Sequence, residues 1–482
     1  MYYLLNERYR LCGWEKLPYA IIDRKYGRAQ FVNKFILDTL EMCNGKIDFS
    51  IPIITDDQRK LVEQLVKEGV VSECEKGSEL KEKQKYIFYN NRYMNTVHWS
   101  ITGKCNCKCK HCYMSAPDAK YGELTHEQIM KIVNDMGNCG VLRCTLTGGE
   151  ALVRSDFWDI VDGLLEREIL ITQIYSNGFL VNEKFLDELE KRGIHPEINM
   201  SFDGTGHHDC VRGIPGAEQA VRKAFLLCQK RGFPTGAEMC LWKDNAGSLR
   251  ESINDLTQMG CRSLKVNPIS DTAAWKDGNY GNALSMTEDE VFNVYYEYID
   301  SFYQDLPNIL VHLGGFFYAD GGEPDFYELP AVHIYENPMR ASMCVHARNT
   351  MYISAEGRAE TCMGMASMSD EFQNQYPLVQ EMGLRDCLVD SSYMKLIDTR
   401  VEEIIARNEK CIDCKYKSLC LGGCRASAMM FHRDDVLAVD EMTCKIYRDG
   451  WLTKIIDKIS KLRPEAVCYG VEEYLKVERS DI

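Results

Sequence analysis

Between about residues 93 and 320 the apolar positions keep two alternating rhythms, short unbroken runs and stripes at helical spacing. Thr125 with Gln128 makes a capping box, and Leu124 can staple onto Ile129. Ile129, Ile132, Val133 and Met136 then share one helical face. A strand over 142–147 runs into Gly148-Gly149-Glu150, and Phe157, Ile160, Val161 and Leu164 mark the next helix. Residues 171–175 read as a strand ending in Ser176-Asn177-Gly178, and 198–202 as one ending in Asp203-Gly204. Val221, Ala224, Phe225 and Cys228 give a further helix, with strands again at 236–241 and 263–266. Repeated strand–helix units call for a parallel sheet with helices outside it. Ligands of such sheets lie at the carboxyl ends of the strands, where the Gly, Ser, Asn and Asp clusters fall here.

The flanks carry other patterns. Residues 19–23 and 29–32 read as a hairpin, 35–43 as a helix ending near Gly45, and Thr55 or Asp56 as the cap of a helix over 61–67. A closing strand over 70–72 completes a small winged-helix pattern. The polar stretch 75–85 reads as a linker. After Trp451, Leu452, Ile455, Ile456 and Ile459 predict a terminal helix. The aromatic segments 275–280 and 314–318 can line a channel or simply pack.

Composition narrows the function. A length of 482 residues suggests about three domains. The net charge of −15 excludes a nucleic-acid surface, and the first 76 residues balance 12 basic against 12 acidic side chains. No membrane-spanning run and no signal-peptide pattern is present, so the expected compartment is the cytoplasm. There, 22 cysteines point to metal ligation before disulfides.

Cys105, Cys109 and Cys112 stand in a Cys-x3-Cys-x2-Cys run, with Cys107 inside it and His111 before the last thiol. Three thiols on one loop can hold three irons of a [4Fe–4S] cube and leave the fourth without a protein ligand. A partial zinc site or a disulfide framework fits the spacing alone as well. The spacing resembles the radical S-adenosylmethionine (SAM) family, and the strand-end clusters follow in that family's order. Gly148-Gly149-Glu150 resembles its GGE motif, and Ser176 and Asn177 its ribose- and methionine-holding residues. Ser201-Phe-Asp203-Gly204, then His208-Asp209 and Arg212-Gly213, resembles a signature of one branch. The resemblance implies that glycines 148 and 149 let the backbone approach the SAM ammonium and that Glu150 opposes its charge. It makes Ser201, Asp203 and Arg212 further SAM-binding candidates, with Arg212 on the carboxylate, and sets the His111 ring beside the open iron.

A second cysteine set begins at Cys344, with Gly357 and Cys362 behind it; Cys411, Cys414, Cys420, Cys424 and Cys444 follow. This order resembles the SPASM extension of peptide-modifying radical SAM enzymes, which carries two auxiliary [4Fe–4S] clusters. The resemblance assigns Cys411, Cys414, Cys420 and Cys444 to one cluster and Cys344, Cys362 and Cys424 to the other. A zinc ribbon from 411/414 and 420/424 is the plainer alternative. The three-thiol set is one ligand short: either a distant residue such as Cys387 completes it or an iron stays open. Most of the twelve remaining thiols, a set that includes Cys240, read as small buried hydrophobes, and one of the twelve could serve as the hydrogen-atom donor an epimerase needs.

The expected architecture is α/β: a winged-helix-like leader-recognition domain (1–76), a linker (77–92), a partial (β/α)6 radical SAM barrel (93–320), a SPASM auxiliary-cluster domain (321–450) and a helical tail (451–482). The N-terminal pattern resembles the leader-recognition element of peptide maturases, which adds a precursor's leader to a sheet edge. The implied enzyme uses SAM and three [4Fe–4S] clusters, takes electrons from a flavodoxin or ferredoxin-type donor, and modifies a ribosomally made precursor peptide. A cysteine thioether is the first expected product. Carbon–carbon cross-linking, epimerisation and sulfatase maturation are the alternatives.

Overall fold

The structure is a computed structural model that describes residues 1–114, 116, 122–269, 275, 278, 280–368, 370–432 and 434–479. Lys276, Asp277 and Asn279 of the first aromatic segment lie outside the described residues. Strands Thr96–Ser100, Arg143–Thr147, Leu170–Ser176, Glu197–Ser201, Thr235–Leu241 and Ser263–Pro268 run parallel in chain order, as in an unclosed barrel. Helices His126–Asn138, Phe157–Glu166, Glu183–Lys191, Ala217–Arg231 and Leu249–Gln258 stand in the crossovers. Thr125 caps the first of these through the expected box with Gln128.

The strands alternate. Val97, Trp99, Cys144, Leu146, Ile174, Ile198, Met200, Met239, Leu264 and Val266 are buried in the main hydrophobic core. The opposite face is polar: His98 stacks on Tyr175 with centroids 5.3 Å apart and meets Tyr352 edge-on at 5.6 Å. Glu238, Lys265, His312 and Tyr318 are neighbours across successive strands of the same face. A parallel sheet with helices on both faces would bury apolar side chains on each; here the inner face is left for polar groups.

The sheet exceeds the six expected strands. Helix Glu288–Asp305 leads to a seventh parallel strand, Leu310–Leu313, and the sheet then turns antiparallel through Phe317–Asp320 and Phe326–Glu328. At the other edge Thr350–Ile353 pairs in parallel with Thr96–Ser100, so the cysteine-rich region is hydrogen-bonded directly to the barrel. In the second aromatic segment Phe316 and Phe317 are core residues, with Phe316 stacked on Phe292 at 5.3 Å. The tail helix Trp451–Leu462 packs Trp451 against Phe292; beyond it come a short strand, Val467–Cys468, and a second helix, Val471–Arg479.

The N-terminal region holds helices Lys34–Met42 and Asp56–Lys67, the latter capped by Thr55, around Leu11, Leu37, Leu40, Phe49 and Val62. Its four-stranded sheet runs Arg28–Phe31, Leu17–Asp23, Tyr9–Glu15, Ile87–Arg92. The last six residues of the segment read as a linker, 77–92, therefore form a strand. Ile87-Phe-Tyr-Asn-Asn-Arg92 lacks apolar alternation, and backbone pairing with Tyr9–Glu15 holds it in place. This region docks on the barrel where strands begin: Trp14 Nε1 donates to the Cys139 carbonyl at 3.0 Å, Arg143 Nε to that of Tyr26 at 3.0 Å, and Arg24 Nε to Glu168 at 3.1 Å. The opposite, carboxyl ends of the strands stay clear of it.

Candidate active site

The cysteine loop follows the first barrel strand and is sewn by its backbone to the ends of two others. Gly149 N donates to the Thr102 carbonyl and Glu150 N to that of Lys104, both at 2.9 Å. From the other side Lys108 N reaches the Arg212 carbonyl at 3.2 Å and Lys110 N that of Val211 at 2.9 Å. This explains the glycines. A Cβ on residue 148 would stand 2.7 Å from the Thr102 oxygen, and one on residue 149 would stand 2.4 Å from the Lys104 oxygen. The Gly-Gly pair thus brings two protein backbones together, whatever it does for SAM. Replacing Gly149 by alanine is expected to push the loop outward, leave far-ultraviolet circular dichroism unchanged and weaken SAM binding at least tenfold by equilibrium dialysis, on the order of 1.4 kcal/mol.

The three thiols differ in setting. Cys107, fully buried, hydrogen-bonds with Cys105 and Cys109. Cys107 pulls the Cys109 thiol down to about 6 against the effect of burial, with help from the Arg212 guanidinium, whose Nη1 stands 3.6 Å from the sulfur. The thiolate is the form that ligates metal. Cys105 is lowered by the same Cys107 contact, while burial and the charge of Cys109 push Cys112 up to about 11. Asn177 Nδ2 donates to Asn106 Oδ1 at 2.6 Å and lies 3.9 Å from Cys105 Sγ, tying the third strand's end to the loop.

Glu150 is buried, and burial raises its pKa to about 7. Its carboxylate accepts from Asn177 N at 2.7 Å, Ser176 Oγ at 3.1 Å and Leu152 N at 3.2 Å, and so binds the second strand's end to the third's. Ser201 closes the fourth strand opposite Glu238. Asp203 is fully buried and accepts from Arg212 Nε at 2.6 Å and Cys240 N at 3.1 Å. Burial would raise its pKa, but Arg212, then His208 and His111, hold the carboxyl far below its usual range.

His111 is kept neutral, its pKa lowered to about 4 by burial and then by Arg212. Its Nδ1 is buried and has no hydrogen-bond partner. One ring nitrogen, an Asp203 oxygen and the Cys240 sulfur lie within 4.8 Å of one another. Cys240 is one of the twelve thiols to which the sequence assigned no individual role. Its place at the end of the Thr235–Leu241 strand is the signal that could have singled it out.

The second cysteine set divides in two. Burial, then Cys424 and Cys344, pushes the Cys362 thiol up to about 12. Cys420 rises to about 12 through burial and the nearby Cys414, Cys444 and Cys411. Cys362 thus has Cys424 and Cys344 near it, and Cys420 has Cys414, Cys444 and Cys411. Gly357, at φ +90°, makes the turn between Thr350–Ile353 and Ala359–Glu360 that delivers Cys362. Cys387 is buried next to Asp135 and Cys139, against helix His126–Asn138. All described cysteines are free thiols, and their grouping into threes and fours suits iron–sulfur ligation. Bound here, a SAM-chelating cluster would rest on Cys105, Cys109 and Cys112, and its electron would release a radical from SAM.

Three comparisons bear on this site. A family model described as Radical SAM superfamily matches residues 99–256. Pre-heme d1 synthase of Dinoroseobacter shibae is 32% identical over 160 residues, 32% of this chain and 38% of that protein, so the match spans well under half of that relative. PqqA peptide cyclase of Granulibacter bethesdensis is 24% identical over 338 residues, 69% of this chain and 83% of its own length. Among solved structures, Streptococcus suis SuiB bound to its precursor peptide SuiA superposes with a TM-score of 0.62 at 13% identity, over 92% of this chain and all of that one, a likeness of fold. No described helix is long and apolar enough to cross a membrane. The three-thiol loop and the strand ends at Gly148, Ser176 and Asp203 lie in the segment the family model matches, so residues 99–256 form a Radical SAM domain.

Proposed function

We propose that the chain is a maturase that cross-links a ribosomally made precursor peptide, most simply by joining a cysteine sulfur to carbon. The observation that carries this reading is that Cys344 and Cys362 flank the strand Thr350–Ile353, which is hydrogen-bonded to the barrel, while Cys411, Cys414 and Cys444 gather about Cys420. Two auxiliary [4Fe–4S] clusters held there would offer a sink for the electron that a cross-link releases. The fold likeness to SuiB spans the N-terminal region as well, and the longer curated match is to a peptide cyclase. The match to pre-heme d1 synthase covers 160 residues, about the length of the segment the family model matches, and so speaks to shared radical chemistry more than to substrate.

Arg28–Phe31 is an outer strand of the N-terminal sheet, with Phe31 exposed, and offers an edge to which a leader can add. This edge lies beside the start of the second barrel strand, through Gly27 against Leu142 and Arg143. The precursor must then pass from leader site to barrel mouth along strands of five to seven residues, roughly 17–23 Å. Inside, the chain's task is to fix one hydrogen against the radical and exclude water.

Mass spectrometry tests the reading. A candidate precursor is incubated anaerobically with reconstituted enzyme, SAM and a strong reductant, in ordinary and heavy water. Loss of two hydrogens with a blocked cysteine establishes the thioether. The same loss with every thiol free means a carbon–carbon link, and unchanged mass with deuterium uptake means epimerisation.

A further inference from the structure

Asp440 is 2% exposed and stands between two cysteines of the C-terminal set. Its main-chain carbonyl accepts from Cys444 N at 2.9 Å, and its side-chain Oδ2 accepts from Cys424 N at 2.8 Å. One residue thus receives the amide N–H of two thiol-bearing residues that lie twenty positions apart. Further bonds hold the carboxylate in place. Oδ2 also accepts from Thr443 Oγ1 at 2.6 Å. Oδ1 accepts from Ser427 Oγ at 2.6 Å and from Thr443 N at 3.3 Å, the last of which caps helix Glu441–Arg448.

The chain that Asp440 approaches is bent to admit it. Between Cys420 and Cys424, Leu421, Gly422 and Gly423 are all left-handed, at φ 53°, 83° and 78°. Glycine adopts this region freely and leucine does not. A Cβ on residue 423 would stand 2.5 Å from Asp440 Oδ2, so the close approach requires the glycine. Arg425, also 2% exposed, staples the same turn. Its Nη1 donates to the carbonyls of Ala438 at 2.8 Å and Val436 at 3.1 Å, and its Nη2 to those of Gly423 at 3.3 Å and Gly422. A strained turn and two buried charges persist only where the surroundings over-determine them. What this set determines is where Cys424 lies relative to Cys444.

We propose that Asp440 is a positioning residue that sets the place of Cys424 against Cys444. This rests on the reading of the C-terminal thiols as ligands of two auxiliary clusters. Under that reading the two cysteines serve different clusters, so Asp440 braces one site against the other and puts a negative charge beside a ligand's amide. Cluster potentials respond to charge and to hydrogen bonding. Asparagine is the discriminating replacement. It remains a good cap, so its oxygen keeps the bond from Thr443 N. Its NH2 group then faces the Cys424 N–H, donor against donor. The brace is cut at Cys424, and the helix that carries Cys444 is spared.

The test uses the full-length protein reconstituted anaerobically with iron and sulfide, in native form and as Asp440→Asn, Thr443→Val and Cys424→Ala. Iron content, electron paramagnetic resonance of the reduced clusters and their midpoint potentials are read, with circular dichroism to confirm the fold. Asp440→Asn should keep the fold and the native iron content, while one cluster signal changes shape and its potential rises, because a negative charge is gone and an N–H is freed. Thr443→Val removes one bond to the carboxylate but leaves the charge and the Cys424 bond, and should match the native protein. Identical native and Asp440→Asn spectra and potentials, with iron lost in Cys424→Ala, would overturn the positioning role and keep the cluster. Loss of the fold and of every cluster together in Asp440→Asn would overturn it as well, in favour of a general structural role. Unchanged iron in Cys424→Ala would overturn the cluster reading and the proposal together.

Discussion

With Cys109 replaced by alanine, the reconstituted enzyme is expected to form no 5′-deoxyadenosine above background, while a Cys107→Ala enzyme keeps the activity within a fewfold. The two thiols lie two residues apart in one loop, so the contrast separates ligand from neighbour. Cys109 is the thiol that Cys107 and Arg212 poise toward the thiolate, whereas Cys107 is itself pushed up and remains a thiol. The fold should survive, because main-chain bonds from Lys108, Lys110, Gly149 and Glu150 anchor the loop whether or not the Cys109 sulfur is present. Iron should fall by one cluster's worth, with the C-terminal thiols still loaded. Chromatography of SAM products, beside iron analysis, checks both statements. Substantial deoxyadenosine from Cys109→Ala, or its loss only in Cys107→Ala, would refute the assignment of the loop.

That loop was legible in the sequence because its information is local. Spacing within eight residues declares three ligands without reference to the fold. The strand ends at Gly148, Ser176 and Asp203 were legible for a related reason, since hydrophobic runs stop there and turn residues begin. What the sequence concealed is long-range. The strand Thr96–Ser100 presents Thr, His and Ser inward and so lacks the apolar run expected of a parallel sheet. Ile87–Arg92 owes its conformation to a partner more than seventy residues earlier. Glu360 looks like any surface acid until the hairpin through Gly357 buries it. Spacing also could not show that Cys344 and Cys424, eighty residues apart, both come near Cys362.

The same distinction between local motif and buried pairing sets the effect of changing Asp203. Replacement by asparagine keeps the shape but leaves Arg212, 12% exposed at its side chain, without the charge 2.6 Å from its Nε. Breaking a buried pair from one side costs about 3–5 kcal/mol, because the remaining charge is uncompensated. Asp203→Asn should therefore show a lowered midpoint in urea unfolding, and Arg212→Lys a smaller loss, since the ammonium keeps the charge but not the fork. The pH dependence has a definite sign. The folded-state pKa of Asp203 is depressed, so its contribution is fully present above the unfolded value of about 3.9 and is lost as pH falls below it. Stability curves of the native and Asp203→Asn proteins should converge at acid pH and separate above about pH 4. The consequence extends to the cysteine loop, because Arg212 approaches Cys109 with its side chain and holds Lys108 with its carbonyl. Weaker retention of the SAM-binding cluster should accompany the lost stability. Equal unfolding midpoints at pH 7 would show that the pair contributes nothing and that Asp203 matters only through what it holds in place.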